Sequence, residues 1–217
     1  MKQIKTAVIE LDTCYLIITG LRSYSQNSKT GNMLQSYIID KDRAWSEPKV
    51  FGSKCSECPV VNECYVTRDK LVVRRSLKRL IQGEKTSYQF VELEQVLPLL
   101  KGRPFRFGTY GDPSAIPLDV VRLIACEVSS WTGYTHFWRD IAQEYSEFFM
   151  ASVEDLTGEL LAQALKWRTF RMIRKGESND SINSILCPNA SRGITCEQCK
   201  LCKGTSSQAK SIWIDEH

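Results

Sequence analysis

Phe105-Arg106-Phe107-Gly108-Thr109 is a short β-rich run, and the segments after it alternate in kind. Pro117 opens a helical pattern that reaches Trp131, Tyr134 to Trp138 and Phe148 to Ser152 read as strands, Glu154 to Lys166 as a helix, and Arg168 to Ile173 as a strand again. Strand and helix in turn are the rhythm of parallel β/α units. Such units close into a barrel or stay open as a doubly wound sheet, and in both cases ligands gather at the C-terminal ends of the strands. Upstream, Cys14 to Thr19 and Gln35 to Ile39 are β-rich. Asp69 to Gln82 carries apolar residues at helical spacing with Arg74, Arg75, Lys78 and Arg79 on the remainder, and Ser211 to Ile214 reads as a last short strand. The expected fold is α/β: a partial or irregular (β/α) barrel of mainly parallel strands, with a C-terminal cysteine-rich metal-binding loop.

The 217 residues fit one α/β domain, 1–217, with a cysteine-rich insert at about 52–66 and a cysteine-rich loop at about 184–205. Hydrophobic residues make up 42% and charged residues 25%, which argues against disorder and separates neither an enzyme from a binding module. The start has no apolar signal region and no long apolar run follows, so the expectation is a cytoplasmic protein without a membrane partner. A formal charge of +4 is far from the surplus of a dedicated nucleic-acid binder.

Nine cysteines are the anomaly, because a reducing compartment leaves few stable disulfides. Seven fall in two tight groups, while Cys14 and Cys126 stand in apolar runs and read as core packing. Cys196-x2-Cys199-x2-Cys202, with Cys187-Pro188 upstream, offers three thiolates at three-residue steps and a distant fourth, the arrangement that wraps one [4Fe–4S] cluster. Zinc on four thiolates is the alternative. Cys55, Cys58 and Cys64 form a second triplet with an open fourth position, which suits a second cluster, a structural zinc, or a ligand borrowed from Cys14 or Cys126.

Other chemistry is thinly provided. The two histidines are His136, between aromatics at a strand end, and His217. Asp112, in Gly108-Thr109-Tyr110-Gly111-Asp112-Pro113, stands where a carboxylate could hold an ammonium or hydroxyl group, or simply make a turn. In Lys166 to Lys175, strand alternation sets Arg168 and Arg174 with Phe170 and Met172, and Thr169, Arg171 and Ile173 on the other face. An arginine turned inward would meet an anionic ligand. Asp112, His136 and Arg171 are therefore the expected cosubstrate contacts. On that reading Asp112→Ala spares the cluster and abolishes cosubstrate binding.

Several segments together resemble a known family: Lys29-Thr30-Gly31-Asn32-Met33, the Cys55 triplet, Gly108 to Pro117, Trp131-Thr132-Gly133-Tyr134-Thr135-His136, Met150-Ala151-Ser152-Val153, Trp167 to Arg171 and the closing cysteines. In this order they are similar to the phage-encoded family called gene product eighty-eight, from about residue 29 onward. That resemblance implies a viral or prophage origin, hence the host cytoplasm, and implies no reaction. The triplet followed by Gly111-Asp112-Pro113 also resembles radical S-adenosylmethionine enzymes, whose partial barrels place a cysteine triplet before a Gly-Gly-Glu-Pro-like turn. The triplet spacing differs from theirs, and Asp stands in place of Glu. This likeness implies redox or radical chemistry with S-adenosylmethionine or another small cosubstrate and an electron donor. The rival expectation is a non-catalytic module, stapled by zinc or iron and sulfur, that binds nucleic acid or a host protein through its basic stretches.

Overall fold

The computed structural model describes residues 3–24, 27–42, 52–62, 64 and 71–215. Three strands come first: β1 (Thr6–Glu10), β2 (Cys14–Thr19) and β3 (Leu34–Asp40). They form an antiparallel meander in which Ala7 faces Ile18 and Leu16 faces Ile38. α1 (Leu71–Ile81), β4 (Tyr88–Phe90) and α2 (Leu93–Leu100) follow, then β5 (Pro104–Tyr110), α3 (Leu118–Glu127), β6 (Ser130–Thr132) and β7 (Tyr134–Thr135). The remainder is β8 (Met150–Val153), α4 (Leu156–Ala164), β9 (Thr169–Ile173), β10 (Ser184–Leu186), α5 (Pro188–Arg192), α6 (Cys196–Cys199) and β11 (Ser211–Asp215).

The strands make two sheets, ordered β4-β1-β2-β3-β5-β6 and β10-β11-β9-β8-β7. Outside the opening meander every pairing between the named strands is parallel; the isolated bridges Asn27–Gly31 and Ile39–Gly52 are antiparallel. The expected barrel is thus found in part. Strands alternate with helices and run mostly parallel, but among the described residues β4 and β10 remain edges and nothing closes the ring. The two sheets meet at Gly133, the single residue between β6 and β7, whose carbonyl accepts from Met150 N–H at 3.0 Å.

Alternation decides what covers each face. Leu16, Ile18, Leu34, Ile38, Phe105, Phe107, Ala151 and Val153 turn one way and pack with Leu93, Val96 and Leu100 of α2, Val121 and Ile124 of α3 and Ala162 of α4. On the other face Val8, Ile17, Ile39 and Tyr110 pack under Val73 and Leu77 of α1. Met150 and Ile212 of the five-stranded sheet pack there against Cys202. The helical pattern expected to reach Trp131 stops at Glu127, because Val128 to Trp131 enters β6 as the next parallel strand. Residues 69 and 70 of the expected first helix lie outside the described residues; Leu71–Ile81 is α1, and Gln82 already belongs to the turn that follows.

Candidate metal centre

The C-terminal cysteines come from two separate pieces of chain. β10 leads into Cys187, whose N–H donates to the Trp213 carbonyl at 2.8 Å, so the first cysteine is seated by β11. Pro188 then opens α5, where its missing N–H leaves no bond unmade. Further on, Thr195 and Gln198 form a capping box around α6, a single turn that carries Cys196 and Cys199. Cys187, Cys196, Cys199 and Cys202 line one cavity of about 20 Å³, with Thr132 of β6 and Tyr134 of β7.

The loop is held from two sides. Cys196 and Glu197 N–H donate to the carbonyls of Lys29 (2.9 Å) and Thr30 (3.1 Å), and Asn32 N–H donates to Glu197 Oε2 at 2.8 Å. From β9's end, Arg168 donates to the carbonyls of Leu201 (2.6 Å), Gly204 (2.9 Å) and Lys210 (2.5 Å). Burial pushes the Cys202 thiol up to about 12, against the pull of a hydrogen bond from Tyr134, and the neighbouring thiols raise it further. Burial also raises Cys196 and Cys199, with the Arg106 guanidinium opposing it at Cys196. Burial and crowding thus favour the neutral thiol at Cys196, Cys199 and Cys202, so any metal taken up here would displace protons.

The other triplet lies at the C-terminal ends of the strands. Ser53 N–H donates to the Ile38 carbonyl at 2.8 Å and its own carbonyl accepts from Asp112 N–H at 3.0 Å, which pins this loop between the ends of β3 and β5. A Cβ on Gly52 would stand 2.6 Å from Cys55 Sγ and 2.8 Å from the Tyr110 ring, so Cys55 is pressed onto that strand end. Burial raises the Cys55 thiol to about 12, followed by the charges of Cys64, Asp112 and Cys58. Cys58 rises to about 11 through burial, and Asp112, Cys64 and Glu154 add to it. Residues 63, 65 and 66 of the expected insert lie outside the described residues.

Asp112 and His136 do come together. Asp112 Oδ1 accepts from Ser114 N–H (2.9 Å) and the Thr135 hydroxyl (2.8 Å), and Oδ2 accepts from the His136 backbone N–H (3.0 Å). His136 Nδ1 is 3.0 Å from Glu154 Oε1, and Lys54, beside Cys55, sits 5.1 Å from the Phe137 ring. The ends of β5, β7 and β8 thus bring Asp112, His136 and Glu154 beside the Cys55 triplet. Arg171 is elsewhere: it lies on the face covered by α4, paired with Glu159 at 3.0 Å with both side chains buried. Of Arg168 and Arg171, it is Arg168 that faces the C-terminal cysteine loop.

Neither lone cysteine reaches the triplet. Cys14 is in the core, its thiol donating to the Ala115 carbonyl at 3.8 Å. Cys126, expected in the core, is exposed, because the buried stripe of α3 runs through Val121 and Ile124 and leaves it on the outer side. His217 lies outside the described residues. Glu154, Tyr134 and Arg106 were not legible as site residues, since each acquires its neighbours only through sheet pairing. Among the described residues no three His, Cys, Asp or Glu side chains are gathered as ligands of one metal ion; the thiols surround a space. Comparison with protein-family models, with curated proteins and with solved structures finds no match to this chain.

Proposed function

We propose that this chain is an iron–sulfur protein whose C-terminal cysteines, Cys187, Cys196, Cys199 and Cys202, hold a [4Fe–4S] cluster. The observation that carries the reading is convergence: four thiols from two segments line one cavity, seated by backbone bonds to β11 and to the 29–32 loop. Four unligated thiols in a half-buried loop would be an oxidation hazard, whereas a metal turns their mutual repulsion into binding. Cys55, Cys58 and Cys64 form a second metal site at the strand ends, where Asp112, His136 and Glu154 supply polar groups for a cosubstrate. Redox or radical chemistry fits that pairing, with S-adenosylmethionine the candidate cosubstrate from the likeness in motif order. The phage family likeness makes the setting a host-cell cytoplasm; among the described residues no helix is long and apolar enough to cross a membrane.

A second reading has its own observation. α1 presents Arg75 and Lys78 to solvent, and a metal that only staples the fold would leave this basic face as the working part, binding nucleic acid or a host protein. Metal and sulfide analysis of anaerobically purified protein beside Cys199→Ala separates the two. About four irons and four sulfides per chain, lost in the variant, support the cluster, and about eight in the parent add the second site. Stoichiometric zinc without sulfide, with affinity for nucleic acid that falls steeply with salt, supports the module.

A further inference from the structure

Among the described residues, no carboxylate balances the charge of Arg168. The residue is 8% exposed, and its fork is committed to three backbone carbonyls, none of them ionised. Among the described residues no Asp or Glu pairs with it, whereas Arg171 on the opposite face has Glu159. Its Nε–H is buried and has no partner. Buried cations persist when something negative stands near, and the groups that bear on Arg168 are Cys202 and Tyr134. Arg106, whose charge bears on Cys196, likewise forms no ion pair among the described residues.

Four thiolates around a core of charge +2 leave about −2 in total, so a metal–thiolate centre supplies the missing partner. We propose that Arg168 is a positioning residue of the C-terminal centre in two respects. It ties the Leu201 to Lys210 stretch to β9 through carbonyls on both sides of Cys202, and it is the buried counter-charge of the thiolates. This inference rests on the reading of Cys187, Cys196, Cys199 and Cys202 as metal ligands. A cation beside a cluster favours the more negative, reduced state, so taking it away lowers the midpoint potential.

The test uses the full chain as parent, Arg168→Gln and Arg168→Lys, with iron and sulfide content measured before the midpoint potential. Gln keeps amide donors for the carbonyls without the charge, and Lys keeps the charge without the fork. The expected result is an iron content near the parent's in both. The Gln variant should show a reduction equilibrium shifted about tenfold toward the oxidised form, about 59 mV for one electron, and the Lys variant a potential near the parent's. A Gln variant with full iron and an unmoved potential overturns the counter-charge. If Gln loses its iron, Lys decides: a retained cluster at the parent potential supports the inference, and a lost one reduces Arg168 to a structural tether. Zinc in the parent would sink the cluster reading separately. Chelator competition then reads the same inference, with zinc held about tenfold more weakly by Gln and unchanged by Lys as the supporting outcome, and equal retention by Gln as the contrary one.

Discussion

The backbone N–H of Cys196 donates to the carbonyl of Lys29 at 2.9 Å, so a cysteine of the C-terminal group is positioned by a loop more than a hundred residues earlier in the chain. Gly31, two residues on, has φ +70, and a Cβ there would meet Glu197 Oε2 at 2.6 Å. Gly31→Ala should therefore cost about 1–2 kcal/mol in backbone strain and push the cysteine loop off its seat. Denaturant titration reads the first effect, and iron content per chain, expected to fall, reads the second; full occupancy at unchanged stability would show that the loop is seated by other means.

Asp112 fastens three donors from two turns, so its first role is to hold the ends of β5 and β7 together. Asp112→Ala should cost about 2–4 kcal/mol, since it leaves buried donors unsatisfied. Asp112→Asn should cost about half as much, with its amide clashing only with the His136 N–H. Equal stability of parent and Ala variant would remove this fastening role and return Asp112 to the cosubstrate alone.

Arg171 and Glu159 are a buried pair whose carboxylate also accepts from Gln163 (3.0 Å) and Ser181 (2.7 Å). Arg171→Met strands a buried carboxylate and should cost about 3–5 kcal/mol. The double change Arg171→Met with Glu159→Leu should recover most of that, and a chemical-denaturation cycle measures the coupling. A double variant no better than the single one would locate the loss in packing.

Burial raises the Cys14 thiol to about 11, from an ordinary value of 9.0. The fold prefers the neutral thiol, so its contribution is fully present below pH 9 and fades as the pH rises toward 11, by about 2 kcal/mol. Stability measured at pH 8 and pH 10.5, at equal metal content, should fall less in Cys14→Ala than in the parent. The same slope in both would assign the alkaline loss to other groups.

Strong local pattern was legible: Cys14 to Thr19 forms β2 with the expected bounds, and Thr169 to Ile173 alternates as read, with Arg171 and Phe170 on opposite faces. α2 was not legible, because Pro98 interrupts its pattern, and β6 and β10 are three-residue strands formed by pairing with distant neighbours. The site divides in the same way. Cysteine spacing exposed the two cysteine groups, but choosing between Arg168 and Arg171 required knowing that α4 covers one face and the cysteine loop the other. Glu154 became a neighbour of His136 only through the parallel pairing of β7 with β8.

β11 lies between β9 and β10, although it follows both in the chain. During synthesis, β10 and Cys187 therefore leave the ribosome before the strand that will seat them exists. Lys29 to Asn32, made much earlier, must wait for Glu197. The four thiols can line a common space only after residues 211–215 have been threaded into the sheet, so the cavity forms after β11 has been made and not as each cysteine emerges. Until then the cysteines are open to oxygen and stray metals, and the speed with which β11 inserts between β9 and β10 sets how long that interval lasts.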